Sequence, residues 1–182
     1  IFISEKSANG QWKNPEPLGD NINGYNHDAC IALSPDGQTL FIYKDSKEKK
    51  GEIYYSKLSG NSWSDPKPLL GEVNTNHWEG SASLSADGKT LYFTSDKPAG
   101  FGGRDIYKAT LINDSIWGNI ENLGPTINTP YNDDAPFIHP DGRTLVFSSE
   151  GHNSMGGYDI FHTQLQLNGT WLPPTNIGFP IT

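Results

Sequence analysis

One unit is repeated three times along this chain of 182 residues. Each copy has an acidic residue, an Asp-Gly turn that runs into Thr-Leu, a long loop and a closing tryptophan. Equivalent positions lie 51 to 54 residues apart, and Trp12 closes an incomplete earlier copy. A repeat of this length is typical of β-propeller blades, each of which packs only on its neighbours. The repeat therefore constrains the architecture far more than the activity.

The second complete copy shows the strands of one blade. GSASLSADG alternates small or apolar residues with polar ones, KTLYFTS is rich in β-formers, and DIYKATL and IWGNIENLG follow a glycine-rich loop. Such segments predict strands joined by tight turns, four to a blade. We expect an all-β fold, a β-propeller fragment of about three and a half four-stranded antiparallel blades. The predicted units are a half blade at 1–22 and blades at 23–73, 74–126 and 127–182.

Composition narrows the choice of partners. The formal charge of −8 disfavours nucleic acid and anionic membranes. No segment approaches the roughly 18 apolar residues of a membrane span, so we expect no direct membrane insertion. Cys30 is the only cysteine, which excludes a disulfide within the chain and a Cys-x-x-Cys motif. We expect no cofactor and no bound metal.

The up-and-down order of strands sorts the connections onto two faces. The Asp-Gly turns belong to one face. Loops 44–51, 95–104 and 149–158, together with the connectors between blades, belong to the other, which we call the loop face. Residues 47–50 carry three lysines and one glutamate, a pattern typical of solvated surface. Long variable loops on a rigid scaffold are common binding sites, so we look for partners on the loop face.

Two sets of recurring residues have a structural and a functional interpretation. Asp28, Glu79 and Asp133 precede the innermost strands and could ring the mouth of the central channel with negative charge. Their recurrence favours the alternative, in which each carboxylate accepts hydrogen bonds from a neighbouring loop. The large side chains at matching outer positions are predicted to fill the space between blades; they are Trp12, Trp63, Trp117 and Trp171.

Trp78 departs from the repeat, because it lies in a connector on the loop face. Aromatic residues and Arg often dominate interface energetics. We therefore predict a partner-binding surface around Trp78, with Tyr25, Phe101, Arg104 and Tyr131 nearby. On this hypothesis the loss of the Trp78 side chain weakens partner capture and leaves stability nearly unchanged.

The sequence contains only weak candidates for catalytic and metal-binding residues. His27, His77 and His152 come from different blades and lack ligand spacing. Ser154 lacks the upstream glycine of a GxSxG elbow, and GFGGRD is not a phosphate-binding loop because no helix follows it. The sequence therefore predicts no catalytic residues.

The strings SADGKTLYFTS, SPDGQTLFIY and HPDGRTLVFSS, with GGRDIY and GGYDIF, resemble the WD40-like repeat of TolB-type β-propellers. The GGxDIY form is most similar to propellers of Bacteroidetes OmpA-family envelope proteins, among them a type IX secretion lipoprotein. The resemblance implies a non-catalytic scaffold that binds other envelope proteins, in the periplasm or associated with the outer membrane. The second copy departs from the pattern, with GEIYY in place of GGxDIY.

Two other functions stay open at this point. The chain could be the gating propeller of a TolB-like peptidase or lyase, or a carbohydrate-binding propeller that uses Trp78, Tyr25 and Tyr131. We also interpret the first residues as the second half of a unit, so the remaining blades are expected from the parent chain or from another copy.

Overall fold

The computed structural model describes residues 1–45 and 50–181, so most of the charged segment 47–50 lies outside the described residues. The described residues form strands and turns and contain no α-helix. The strands are β1 (Phe2–Ile3), β2 (Glu16–Pro17), β3 (Asp28–Leu33), β4 (Thr39–Lys44), β5 (Glu52–Ser59), β6 (Ser62–Trp63), β7 (Lys67–Pro68), β8 (Leu70–Gly71), β9 (Glu79–Leu84), β10 (Thr90–Ser95), β11 (Asp105–Asn113), β12 (Ile116–Asn122), β13 (Asp133–Ile138), β14 (Thr144–Ser149), β15 (Asp159–Gln164) and β16 (Thr175–Asn176).

These strands form three blades and one partial blade. The first blade has the order β3-β4-β5, with both β6 and β7 paired to the outer edge of β5. The second has the order β9-β10-β11-β12, the third β13-β14-β15-β16, and β1 pairs only with β2. Strand β9 lies beside both β3 and β13, so the first strand of each blade is the innermost. The structure confirms the predicted all-β propeller fragment.

Strand register places the two kinds of connection at opposite ends of a blade. In the second blade, Ser95 pairs with Asp105 beside the long loop, whereas Leu91 pairs with Leu84 beside the Asp87 turn. The third blade repeats this arrangement, because Ser149 pairs with both Asp133 and Asp159. The predicted separation of the Asp-Gly turns from the loop face is therefore confirmed.

Apolar side chains are buried mainly between blades. One cluster joins Phe41 and Ile53 of the first blade to Leu91, Phe93 and Trp117 of the second. A second cluster joins the second blade to the third, and another joins Ile1 and Leu18, which flank β1 and β2, to the first blade. Burial of apolar surface stabilises a fold by about 25 cal/mol per Å², so each blade depends on its neighbours for stability.

The repeated tryptophans do not all pack alike. Trp117 is buried, and Trp63 and Trp171 are partly buried against two inter-blade clusters. Trp12 is 66% exposed, and among the described residues no blade precedes β1–β2 to pack on its ring, so its predicted packing stays a prediction. The Lys6 amine lies 5.0 Å from the centroid of the ring.

One edge departs from the antiparallel pattern. After the first blade, β8 runs parallel to β12 and pairs Gly71 with Trp117. A Cβ on Gly71 would lie 1.8 Å from the Trp117 carbonyl oxygen, and the φ of Gly71 is +110°. Only glycine fits this close approach of two backbones.

The described blades form an open arc. No strand of the third blade lies near β1 or β2 among the strands that the structure describes. The described residues therefore do not close a propeller ring by themselves.

Candidate interaction surface on the loop face

The recurring acids Glu79 and Asp133 are fully buried at the start of innermost strands. Glu79 accepts hydrogen bonds from the Thr75 backbone N–H at 2.9 Å, the Thr75 hydroxyl at 2.7 Å and the Ser95 hydroxyl at 2.9 Å. Asp133 has the same partners at equivalent positions, Thr129 and Ser149. Each acid therefore fixes, through hydrogen bonds, the connector that enters its blade.

Asp28 uses a different chemistry at the same position. It accepts a hydrogen bond from the Gly24 backbone, and its carboxylate forms a 2.7 Å ion pair with the Lys44 amine. Lys44 pairs with Asp28 in the strand register, so it occupies the position that serine has in the other two blades. A cation thus replaces the hydroxyl donors of the later blades.

Burial raises the pKa of the Glu79 and Asp133 carboxyls, and hydrogen bonds to Thr75, Ser95, Thr129 and Ser149 oppose that rise. Neither side chain offers surface to a ligand. Both sites can be explained by the folding of the connector alone.

A second recurring group in the connectors was missed by sequence reasoning. The Asn74 side chain accepts a hydrogen bond from the Ile53 backbone N–H at 2.9 Å and donates one to the Ile53 carbonyl at 2.8 Å. Asn128 holds Ile106 in the same way, at 2.8 and 2.9 Å. The recurring Ile-Asn or Val-Asn pair in each connector was the signal that could have revealed these clamps.

The acid that opens strand β11 shapes the loop before it. Asp105 accepts hydrogen bonds from the backbone N–H groups of Phe101, at 2.6 Å, and Gly102, at 3.1 Å. The loop also contacts the next blade, because the Gly103 N–H donates a hydrogen bond to the Tyr131 carbonyl at 2.9 Å. These hydrogen bonds hold the loops that carry Phe101 and Tyr131 next to each other on the loop face.

Trp78 lies between the first two blades. Its indole N–H donates to the Tyr43 hydroxyl at 3.2 Å, and its backbone N–H donates to the Asp96 carboxylate at 2.8 Å. The ring covers Gly80, where a Cβ would lie 1.9 Å from the indole. These contacts give Trp78 a packing role, so the expectation that its loss leaves stability nearly unchanged no longer follows.

Arg104 extends these contacts to the third blade. Its guanidinium lies over the Trp78 ring and forms a 2.7 Å ion pair with Asp134. The Asp134 carboxylate also accepts a 2.8 Å hydrogen bond from the Ser81 hydroxyl. Tyr43, Trp78, Arg104 and Asp134 thus form a chain of contacts across three blades.

The predicted surface residues differ in exposure. Tyr131 is 62% exposed and Phe101 is 46% exposed, whereas Trp78 is only partly exposed. Tyr25 is fully exposed in the connector before β3, and no contact among the described residues joins it to Trp78. We call Trp78, Phe101, Arg104 and Tyr131 the loop-face surface, with Tyr25 as a separate exposed residue.

The histidines do not converge. His77 lies 3.8 Å from the Asp96 carboxylate, and His152 contacts the Ile127 carbonyl at 3.0 Å. Within residues 1–45 and 50–181, no three His, Cys, Asp or Glu side chains form a group that could hold a metal ion. In the same part of the chain no serine hydroxyl hydrogen-bonds to a histidine ring; that of Ser154 donates to the Gly157 carbonyl.

Among the residues that the structure describes, no helix has the length and apolar character to cross a bilayer.

Blades of this kind, joined through inter-blade cores, define a β-propeller segment. No protein-family model matches the chain, and no curated protein matches it. Several solved structures, in contrast, match its fold. TolB from Acinetobacter baumannii superposes with a TM-score of 0.60 at 17% identity, covering 98% of this chain and 38% of that one.

Two other solved structures show the same fold. A structure described as TolB from Agrobacterium tumefaciens has a TM-score of 0.58 at 17% identity, with coverage of 97% of this chain and 60% of that one. A prolyl endopeptidase has a TM-score of 0.53 at 12% identity, with coverage of 93% and 24%. This chain spans less than two thirds of each of these proteins. Its fold is that of a segment of a TolB-like β-propeller.

Proposed function

We propose that this chain is a non-catalytic β-propeller scaffold that binds other proteins of the bacterial cell envelope through its loop-face surface. The observation that carries the proposal is the exposure of Phe101 and Tyr131 on loops fixed by hydrogen bonds. Neither aromatic recurs in the other repeats, so blade folding does not explain them.

The arrangement suits capture of a protein partner. Arg104 is held by Asp134 and Trp78, so its guanidinium is already ordered before a partner arrives. Preorganised aromatic and arginine side chains lose little conformational entropy on binding. The expected partner therefore presents an apolar or aromatic side chain together with a hydrogen-bond acceptor.

The cellular context of the proposal comes from the resemblance of the repeats to envelope propellers. We place the protein in the periplasm or in association with the outer membrane, in an assembly of the OmpA-like or secretion-associated kind.

Site-specific photo-crosslinking in the native host tests the proposal. A photoreactive phenylalanine replaces either Tyr131, on the loop face, or Leu167, which is 96% exposed in a turn at the opposite end of the third blade. We expect position 131 to yield a defined crosslink to an envelope protein that Phe101→Ala reduces, and position 167 to yield none. Identical products from both positions, or a partner found only in the cytosolic fraction, would contradict it.

A further inference from the structure

A cavity of about 330 Å³ opens between the first two blades, on the face of the Asp-Gly turns. Apolar and aromatic side chains from both blades line it, namely Phe41, Tyr55, Leu69, Leu84, Leu111 and Trp117. We call this cavity the first inter-blade groove. It lies at the opposite end of the strands from the loop-face surface, so it is a separate site.

The groove has an acidic rim. Asp36, Asp87 and Asp114 line it, and Lys57 is the one basic residue among the described lining residues. Hydrogen bonds from Ser34 and Ser85, and then from backbone N–H groups, hold the pKa of the Asp36 and Asp87 carboxyls below their usual range. Both groups are therefore ionised at neutral pH, and the net charge of the lining is negative.

The Asp114 carboxylate is available for a ligand. Its residue is exposed in the turn between β11 and β12, and it forms no hydrogen bond or ion pair with any described residue. The aromatic ring of Tyr55 lines the same groove from the first blade. A cation is attracted both to a carboxylate and to the face of such a ring.

The next groove along the arc provides an internal comparison. Repeat alignment and strand register place Lys108 at the position of Tyr55, and Asn168 at the position of Asp114. The Lys108 amine forms a 3.0 Å ion pair with Glu121. The second groove thus has neither the ring nor the free acid, so blade packing does not require either feature.

We propose that the first inter-blade groove binds a lysine or arginine side chain presented by a partner polypeptide. The aliphatic part of that side chain packs against Leu84 and Leu111, and its charged end reaches Asp114 beside the Tyr55 ring. Long basic side chains commonly bury an apolar stem while their charge stays near water. Charge complementarity favours this occupant over an acidic or purely apolar one.

An NMR titration of the full chain tests the proposal. The probes are two blocked pentapeptides, acetyl-Ala-Leu-Lys-Leu-Ala-amide and its norleucine counterpart, and n-butylamine as the free amine. We expect the lysine peptide to shift the resonances of Trp117 and Leu111, and Asp114→Asn to weaken its binding about two- to fivefold. Tyr55→Lys, which copies the second groove, is expected to abolish binding.

Asp20→Asn is the matched control, because Asp20 is an exposed carboxylate that lies in a connector on the loop face. It should leave binding unchanged. Equal binding of the lysine and norleucine peptides would overturn the role of the cation. Equal effects of Asp114→Asn and Asp20→Asn would overturn the site, and butylamine binding as tightly as the lysine peptide would overturn the polypeptide occupant. Each of these outcomes leaves the loop-face proposal intact, since that surface is assayed by crosslinking.

Discussion

The guanidinium of Arg104 lies 4.2 Å from the centroid of the Trp78 ring. Trp78 belongs to the connector that enters the second blade, and Arg104 bonds onward to Asp134 of the third. Trp78 is therefore part of a chain of contacts across three blades and is not an isolated surface residue.

Trp78→Ala should destabilise the chain by about 1 to 3 kcal/mol, since it removes the ring between Tyr43 and Arg104. Trp78→Phe should cost less, because it keeps an aromatic face for Arg104 while it loses the indole hydrogen bond to Tyr43 and part of the ring that packs over Gly80. Urea unfolding of both variants measures the difference. An unchanged midpoint for Trp78→Ala would show that the contacts across the blades add nothing to stability.

Trp117→Ala should destabilise by about 3 to 5 kcal/mol, because it leaves a large cavity in a well-packed inter-blade core. Trp12→Ala is the matched control at the equivalent repeat position and should cost far less, since its ring is exposed. Thermal unfolding of the two variants compares them directly. Similar shifts in Tm would contradict the packing assigned to Trp117.

Asn128→Ala should destabilise by about 1 to 3 kcal/mol, because it leaves the buried backbone N–H of Ile106 without its partner, whereas the Ile106 carbonyl keeps its hydrogen bond from the Leu123 N–H. Asn61→Ala, at an exposed turn position, should change stability by less than about 0.5 kcal/mol. Native-state hydrogen exchange at the Ile106 amide gives a local readout. Unchanged protection of that amide in Asn128→Ala would rule out the clamp.

Burial raises the pKa of Glu79 in the folded chain above its ordinary value of 4.5. The folded state therefore binds the proton more tightly than the unfolded state, and protonation favours folding. The contribution of this group is fully present below pH 4.5 and is lost as pH rises through the folded pKa. Asp133 behaves in the same direction from 3.8 upward.

Glu79→Gln should consequently remove part of the pH dependence of stability. The difference in unfolding free energy between the wild type and Glu79→Gln, measured from about pH 4 to 8, should move against the wild type as pH rises. Glu121→Gln, an exposed carboxylate on the outer strand, serves as the control and should show no such trend. A difference that moves in favour of the wild type with rising pH would contradict a raised pKa for Glu79.

The sequence by itself determined the blades, because a 51- to 54-residue repeat with alternating strands and Asp-Gly turns records local rules of pairing and turn geometry. It also predicted that Asp87 and Gly103 lie at opposite ends of a blade, since antiparallel strands leave no other arrangement. The loop face and its candidate residues followed from the same reasoning.

Only the tertiary structure decided which repeated side chains are covered. Trp12 and Trp117 occupy equivalent repeat positions, yet among the described residues only Trp117 lies against a preceding blade, which buries it. The roles of Trp78 and of the Asn128 clamp were decided there too. Both depend on contacts between blades, with Tyr43 and Ile106, which lie 35 and 22 residues away along the chain. Local patterns define strands, whereas contacts between blades depend on how those strands are stacked in space.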